Sequence, residues 1–350
     1  MCASSSATHA HTAVTAVHIT CACLFFIFVL PRYLTAGFAL WSTAPTTRLE
    51  PEWQSLAWKV PSDILDLIPQ PCRVLLRCAD GPLTVVRNFD FVDICSGKAR
   101  ITKWAVTAGL TGAALDVDYG QHMDINSTEG FALAILCVLR VGVGGLVFMA
   151  CQCSSWIWLS RSSTQRSAEN PHGNVRRPSV VEGNSLNVRC ALLCLLAHRC
   201  CSRWVVEQPD SSLFFDTDSM QTAWKNCGAR LIKFRMSIYG HVTRKGTYLL
   251  GTADWLEEIG NACAPSAASS SGKPEPPCPP CPSKSPGKPK KPKNTIKAKV
   301  KAVALARVHK DGSGRKRVTG NKVALKDSQV YPARFALRVC QLHWPARFGC

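Results

Sequence analysis

Two cysteines at the end of one apolar run, and a glutamate at the end of another, are the residues of this 350-residue sequence best placed to do chemistry. The run "GGLVFMAC" (144–151) reads as a buried strand that opens into "QCSSWIWLSRSSTQRS", a polar and basic loop. A thiol at a strand end beside basic residues can have its pKa lowered and act as a nucleophile. Cys151 and Cys153 are therefore candidate nucleophiles. The same thiols also read as small buried hydrophobes, the common state of a free cysteine. Glu207, in "RWVVEQP", ends the next strand beside a proline turn, where a carboxyl can serve as acid or hydrogen-bond donor. Its plainer reading is a capping carboxylate. Arg244 and Lys245, in "YGHVTRKGTYLLG", add cationic charge ahead of a further strand.

Three upstream stretches carry acids at matching positions. In "DICSGKAR", Asp93 ends a strand, and Ser96 and Gly97 make a small-residue turn before a helix. Such a turn lets backbone amides approach a ligand, with a helix N-terminus behind them. "ALDVDYG" places Asp116 and Asp118 where a carboxylate can accept from ribose hydroxyls. "HMDI" sets Asp124 just before another helix. Acids at successive strand ends suit a nucleoside cofactor without a pyrophosphate. Gly97-Lys98-Ala99 does not complete the dinucleotide pattern GxGxxG, which counts against NAD.

These positions need a frame, and residues 89–258 supply its pattern. Strand-like runs at 89–95, 112–118, 144–151 and 203–209 alternate with helical runs at 99–110, 129–142, 185–200 and 221–229. The segments 230–240 and 246–252 close the set. Strands alternating with helices predict an α/β fold with a doubly wound, mostly parallel sheet. Such sheets bind ligands at the carboxyl ends of their strands.

The flanks differ. Residues 1–45 contain an uncharged run, 13–30, at the short end of what spans a bilayer. If it is used, it is a signal anchor or signal peptide, and the protein meets a membrane there. The basic segment usual before such a run is missing, so an N-terminal extension stays open as the alternative. Unused, it leaves a nuclear or cytoplasmic protein. Residues 46–88 read as an irregular lead-in. Residues 264–350 form a Pro/Lys-rich basic tail whose composition predicts disorder. Such an arm suits phosphate contacts that carry no sequence information, or plain solubilisation. The net charge of +19 favours polyanions as partners, nucleic acid first and an anionic membrane surface second. The 19 cysteines are scattered through apolar runs and read as reduced. The one CxxC, Cys278 to Cys281, lacks the four ligands that tetrahedral zinc needs, so no metal is expected. The last twenty residues, "YPARFALRVCQLHWPARFGC", turn apolar again.

Taken in order, these motifs resemble those of the DNA cytosine-5 methyltransferases, a class I S-adenosylmethionine-dependent family. "FVDICSGKARIT" is similar to the family's first motif, Asp-Leu-Phe-x-Gly-x-Gly-Gly. "ALDVDYG" resembles its Glu-x-Asp motif and "MDI" its Gly-Asp-Ile. "MACQCSS" resembles Pro-Pro-Cys-Gln-x-Phe-Ser, "VVEQP" the Glu-Asn-Val strand, and "IYGHVTRKGTYLLG" the Tyr-Gly-Val-Pro-Gln-x-Arg-x-Arg segment. The match covers roughly residues 89–252 and implies a Rossmann-like methyltransferase fold with S-adenosylmethionine as cofactor. It implies a ribose role for Asp116 and an adenine role for Asp124. It also implies thiolate attack on carbon 6 of a cytosine, with Glu207 steadying the ring nitrogen, and a base flipped out of its helix. The Arg-rich loop 160–177 would close over the nucleic acid. Cys151 followed by Gln152 matches "Cys-Gln", whereas Cys153 keeps the loop chemistry and is preferred. Ala99 stands for the motif's second glycine, Met149-Ala150 for the prolines, and Arg244-Lys245 for the Arg-x-Arg pair. Nothing after residue 258 resembles a target-recognition domain. Two other readings remain: a methyltransferase of another substrate, and a catalytically degenerate fold that binds nucleic acid or protein.

Overall fold

The computed structural model describes residues 57–59, 66–77, 84–241, 243–260, 306–310, 316–320 and 330–349. The hydrophobic run 13–30 and the Cys278–Cys281 pair lie outside them. Six strands make the central sheet: β3 (Phe89–Ile94), β4 (Gly112–Leu115), β5 (Val141–Met149), β6 (Arg203–Pro209), β7 (Arg230–Arg235) and β8 (Gly246–Gly251). Two shorter strands precede them, β1 (Ala57–Lys59) and β2 (Thr84–Val86), which pair antiparallel with each other. The sheet order is β4-β3-β5-β6-β8-β7. The first four strands run parallel, and β8 runs antiparallel to both of its neighbours. The chain starts the sheet at β3, steps outward to β4, then crosses back to place β5 on the other side.

Alternation along the strands splits the core in two, because successive side chains point to opposite faces. Val92, Val147, Trp204, Val206 and Leu250 pack on one face; Phe91, Leu146, Phe148, Val205 and Leu249 pack on the other. The first face is covered by α1 (Gln70–Arg77), α3 (Thr128–Leu139), α4 (Pro178–Arg199) and α5 (Asp218–Cys227). The second is covered by α2 (Arg100–Thr107), α6 (Leu256–Gly260) and α7 (Ala333–His343). The protein is thus an α/β molecule around a mixed, mostly parallel sheet.

Local signals explain the helix ends. Ser127 caps α3 by accepting from the Gly130 amide at 2.9 Å, Thr217 caps α5, and Gly228 ends α5 in the left-handed region. Proline opens α4 at its first turn. This helix is long and apolar enough to cross a membrane, but most of its apolar window is buried against the sheet and α5. It serves here as a core helix.

Two expectations are corrected. The lead-in 46–88 contains the β1–β2 pair and α1, whose Cys72 is buried against α3. The tail is not unstructured throughout. Residues Ala306–Lys310 (β9) and Lys316–Gly320 (β10) pair as antiparallel strands, and α7 is part of the second core. Phe335, Ala336, Val339 and Cys340 are fully buried there, spaced as one face of a helix. Composition predicted disorder because it averaged this apolar face with the lysine-rich stretch before it.

Candidate functional site

A cleft of about 480 Å³ opens at the carboxyl ends of β3, β4, β5 and β6, within the size range of small-molecule sites. Its floor is the crossover between β3 and β5, where flanking loops diverge and leave a crevice. Ser96, Gly97, Asp116, Asp118, Asp124, Cys151, Cys153 and Glu207 all line it.

At the β3 end the backbone turns sharply. Cys95, Gly97 and Ala99 have φ of +54°, +55° and +50°. Only glycine takes that region freely, so Cys95 and Ala99 store strain. The turn is tied to the next strand end. The Gly97 amide donates to Asp116 Oδ2 at 2.8 Å, and the Asp118 amide donates to Asp116 Oδ1 at 2.9 Å. Tyr119 Oη accepts from Ser96 Oγ at 3.0 Å and donates to the Gly97 carbonyl at 2.7 Å. Asp118 itself is exposed at the rim.

Asp124 accepts from the Asn126 amide at 2.8 Å. Its loop lies directly on the first turn of α3, where a Cβ at Gly130 would sit 2.1 Å from the Asp124 carbonyl oxygen. Arg189 of α4 donates to the Ile125 carbonyl and, at 2.7 Å, to the Ser127 carbonyl, fixing the same loop from the other side. Asn126 Oδ1 is buried and accepts no hydrogen bond.

The two cysteines part company. Cys151 is 3% exposed. Its thiol sits in a buried row with Cys95 and Cys190, and its pKa is raised well above the usual thiol value by the Cys190 contact and by burial. Cys153 is half-buried at the cleft wall, near Glu207 and Lys245. Burial and the Glu207 charge push its thiol up to about 11, against the pull of Lys245. The expected lowering by basic residues is therefore overturned: the desolvation is larger than the help from one ammonium. Alkylation of Cys153 by iodoacetamide, followed by peptide mass spectrometry, should be slow at pH 7. It should rise about tenfold per pH unit up to near pH 11, because only the thiolate attacks. A rate that levels off below pH 9 would refute this environment.

Glu207 is 5% exposed at the end of β6. Its Oε1 lies 3.2 Å from Lys245 Nζ but makes no hydrogen bond of good geometry. Its Oε2 accepts from Tyr331 Oη at 3.2 Å. Next in sequence, Gln208 is fully buried and donates from Nε2 to the Cys151 carbonyl at 2.8 Å. This bond clamps the exit of β5 to the end of β6.

Two predicted site residues fall outside the cleft. Asp93 is 2% exposed beneath it, accepting from Thr102 Oγ1 at 2.8 Å, with burial raising its carboxyl to about 7. Arg244 is exposed and does not line the cleft; its neighbour Lys245 takes the inward place. The loop beyond Cys153 is also not a free flap. Arg166 is 2% exposed, lies 3.4 Å over the Trp156 ring, and donates to Asn184 Oδ1 at 2.8 Å and to the Ser155, Pro171 and Val180 carbonyls. Its arginines divide, with Arg166 as an internal post and Arg176 and Arg177 exposed.

Asn126, Gln208, Lys245 and Tyr331 thus join the site. Lys245 is one of the two cations already noted ahead of β8, and Gln208 stands next to Glu207. The signal for Tyr331 was the apolar periodicity of the last twenty residues. Among the described residues, no group of three or more His, Cys, Asp or Glu is arranged to hold a metal ion. The chain matches no family model, and no curated protein matches it.

Proposed function

We propose that the protein is an S-adenosylmethionine-dependent methyltransferase acting on nucleic acid, of the cytosine C5 type that its motifs resemble. The observation that carries the reading is the convergence of those motifs on one cleft at the sheet crossover. The cleft also holds two buried acceptors without a well-aligned hydrogen bond, Asn126 Oδ1 and Glu207 Oε1, the latter ion-paired with Lys245 at 3.2 Å. Buried acceptors of this kind are costly unless a ligand's N–H or O–H satisfies them. A cofactor with amino and hydroxyl donors fits the Asp116–Asp124–Asn126 side, and a base with an amino edge fits the Glu207 side.

The cofactor, when bound, supplies an electrophilic methyl group. Asp116 and Asp124 would hold its sugar and base. Cys153 would add to carbon 6 of the target ring, Lys245 favouring its thiolate. Glu207 would accept from the ring edge, and Gln208 would keep the cysteine loop in register with it. The basic tail supplies phosphate affinity: residues 264–350 hold 19 of the 42 Lys and Arg but 3 of the 23 Asp and Glu.

Calorimetry of the full-length chain with S-adenosylmethionine tests the reading. Saturable binding is expected, weakened at least about tenfold by Asp116→Ala, as loss of a charged hydrogen-bond acceptor requires. A folded wild-type chain that does not bind the cofactor would end the methyltransferase reading. The raised Cys153 thiol favours one rival, a fold that binds nucleic acid without turnover. Cofactor binding without methyl transfer to cytosine oligonucleotides would select it.

A further inference from the structure

We infer that Tyr331 is a positioning residue for Glu207, so the chain's C-terminal segment forms a working wall of the cleft. The assignment of a substrate to that cleft rests on the reading above; the Tyr331–Glu207 contact does not.

Glu207 is a buried carboxylate with acceptor capacity at both oxygens. One donor from the body of the domain, Lys245, reaches Oε1. An ammonium on a flexible stem fixes charge better than direction. The directional bond comes from Tyr331, whose phenol donates to Oε2. Tyr331 is held on several sides. Its ring meets Phe148 edge-on at 6.0 Å and Phe335 at 5.3 Å, and Lys245 Nζ lies 5.7 Å from its centre. Arg100, at the start of α2, donates to its carbonyl. Pro332 follows at once and opens α7, whose docking on α2 delivers the tyrosine. With Oε2 occupied and the ring locked, Oε1 is left to receive a ligand beside Lys245. The tyrosine's hydroxyl stays a donor, because burial, the nearby carboxylates and the bond to Glu207 keep it protonated.

Two arms test this in the full-length chain. In the first, tyrosines are labelled with carbon-13 at Cζ and the Tyr331 signal is assigned by its loss in Tyr331→Phe. Glu207→Gln should shift that signal and move its titration to lower pH, since a carboxylate neighbour is removed. An unchanged signal would overturn the contact whatever the protein's activity. In the second arm, Tyr331→Phe keeps the ring packing and removes only the donor. Methyl transfer to a cytosine-containing single-stranded oligonucleotide should fall about tenfold or more, the range for a hydrogen bond to a charged group. S-adenosylmethionine affinity should change less than about twofold, because that ligand's anchors lie at the other end of the cleft. Equal transfer by variant and wild type would overturn the positioning role. A wild type without transfer would end the methyltransferase reading, and the first arm would then decide the contact alone.

Discussion

Phe335→Ala in the full-length chain is expected to lower the free energy of unfolding by about 3–5 kcal/mol, the cost of emptying a fully buried aromatic site. The magnitude follows from its surroundings. Phe335 is wholly buried, stacks on Phe234 at 5.8 Å, and meets Tyr239, Phe148 and Tyr331 edge-on or tilted at 5.5, 6.5 and 5.3 Å. These partners belong to β7, the turn after it, β5 and the approach to α7, so no single neighbour can move to refill the space. A domain stable by about 5–15 kcal/mol loses a large fraction of that. The second consequence is local. His343, at the far end of α7, accepts from Trp255 Nε1 at 2.9 Å and lies 3.0 Å from the Gly144 carbonyl. Burial lowers its pKa to about 4 and keeps it neutral. With Phe335 gone, α7 would be held by that end, by Arg100 and by the smaller buried residues Ala336, Val339 and Cys340, without the ring that fills its centre. Urea unfolding of the variant measures the first effect, and hydrogen exchange over residues 331–343 measures the second. A loss below about 1 kcal/mol would show that α7 does not belong to the core.

Asp93→Asn is expected to stabilise the protein at pH 8 by about 4 kcal/mol, given a carboxyl displaced some three units upward. The cause is burial, only partly offset by the Thr102 hydrogen bonds and slightly deepened by Asp116. The sign follows from the proton inventory. Between the ordinary carboxyl value near 4 and the folded value of about 7, the folded state keeps a proton that the unfolded chain has lost. Its stability therefore falls as pH rises through that window and levels off above it. Asparagine preserves an oxygen for Thr102 and removes the slope. Unfolding curves of wild type and variant should differ by about 1.5 kcal/mol at pH 5, where the window has only been entered, and most at pH 8. Equal stability of the two at pH 8 would show that Asp93 is not desolvated in this way. The same charge raises the thiols of Cys95 and Cys340 and the phenol of Tyr331. Its removal thus eases the cleft floor as well.

Much of the frame was legible because its signals are local. "FDFVDI", "GGLVFM" and "RWVVEQP" are short apolar runs bounded by turns, and each became a strand of the sheet. The strand-end residues followed, since a parallel sheet brings the carboxyl ends of its strands to one edge. Between Cys151 and Cys153 the sequence carried only a slight preference for Cys153, because two residues apart on an irregular exit carry no fixed orientation. The loop 160–177 read as a flap because its arginines look alike in a string. Arg166 was set apart by Trp156 and Asn184, which only packing brings to it.

The sequence by itself determined the alternation of strands and helices, the acids and thiols at strand ends, and the excess positive charge of the tail. These depend on spacing, propensity and composition, which act over a few residues. The tertiary structure alone decided which thiol meets Glu207, that Lys245 rather than Arg244 faces inward, that Asp93 lies beneath the cleft, and that Tyr331 reaches Glu207 from 124 residues away. Each depends on desolvation or on a contact between distant segments. Such terms arise only when the hydrophobic face of α7 and both faces of the sheet are removed from water together.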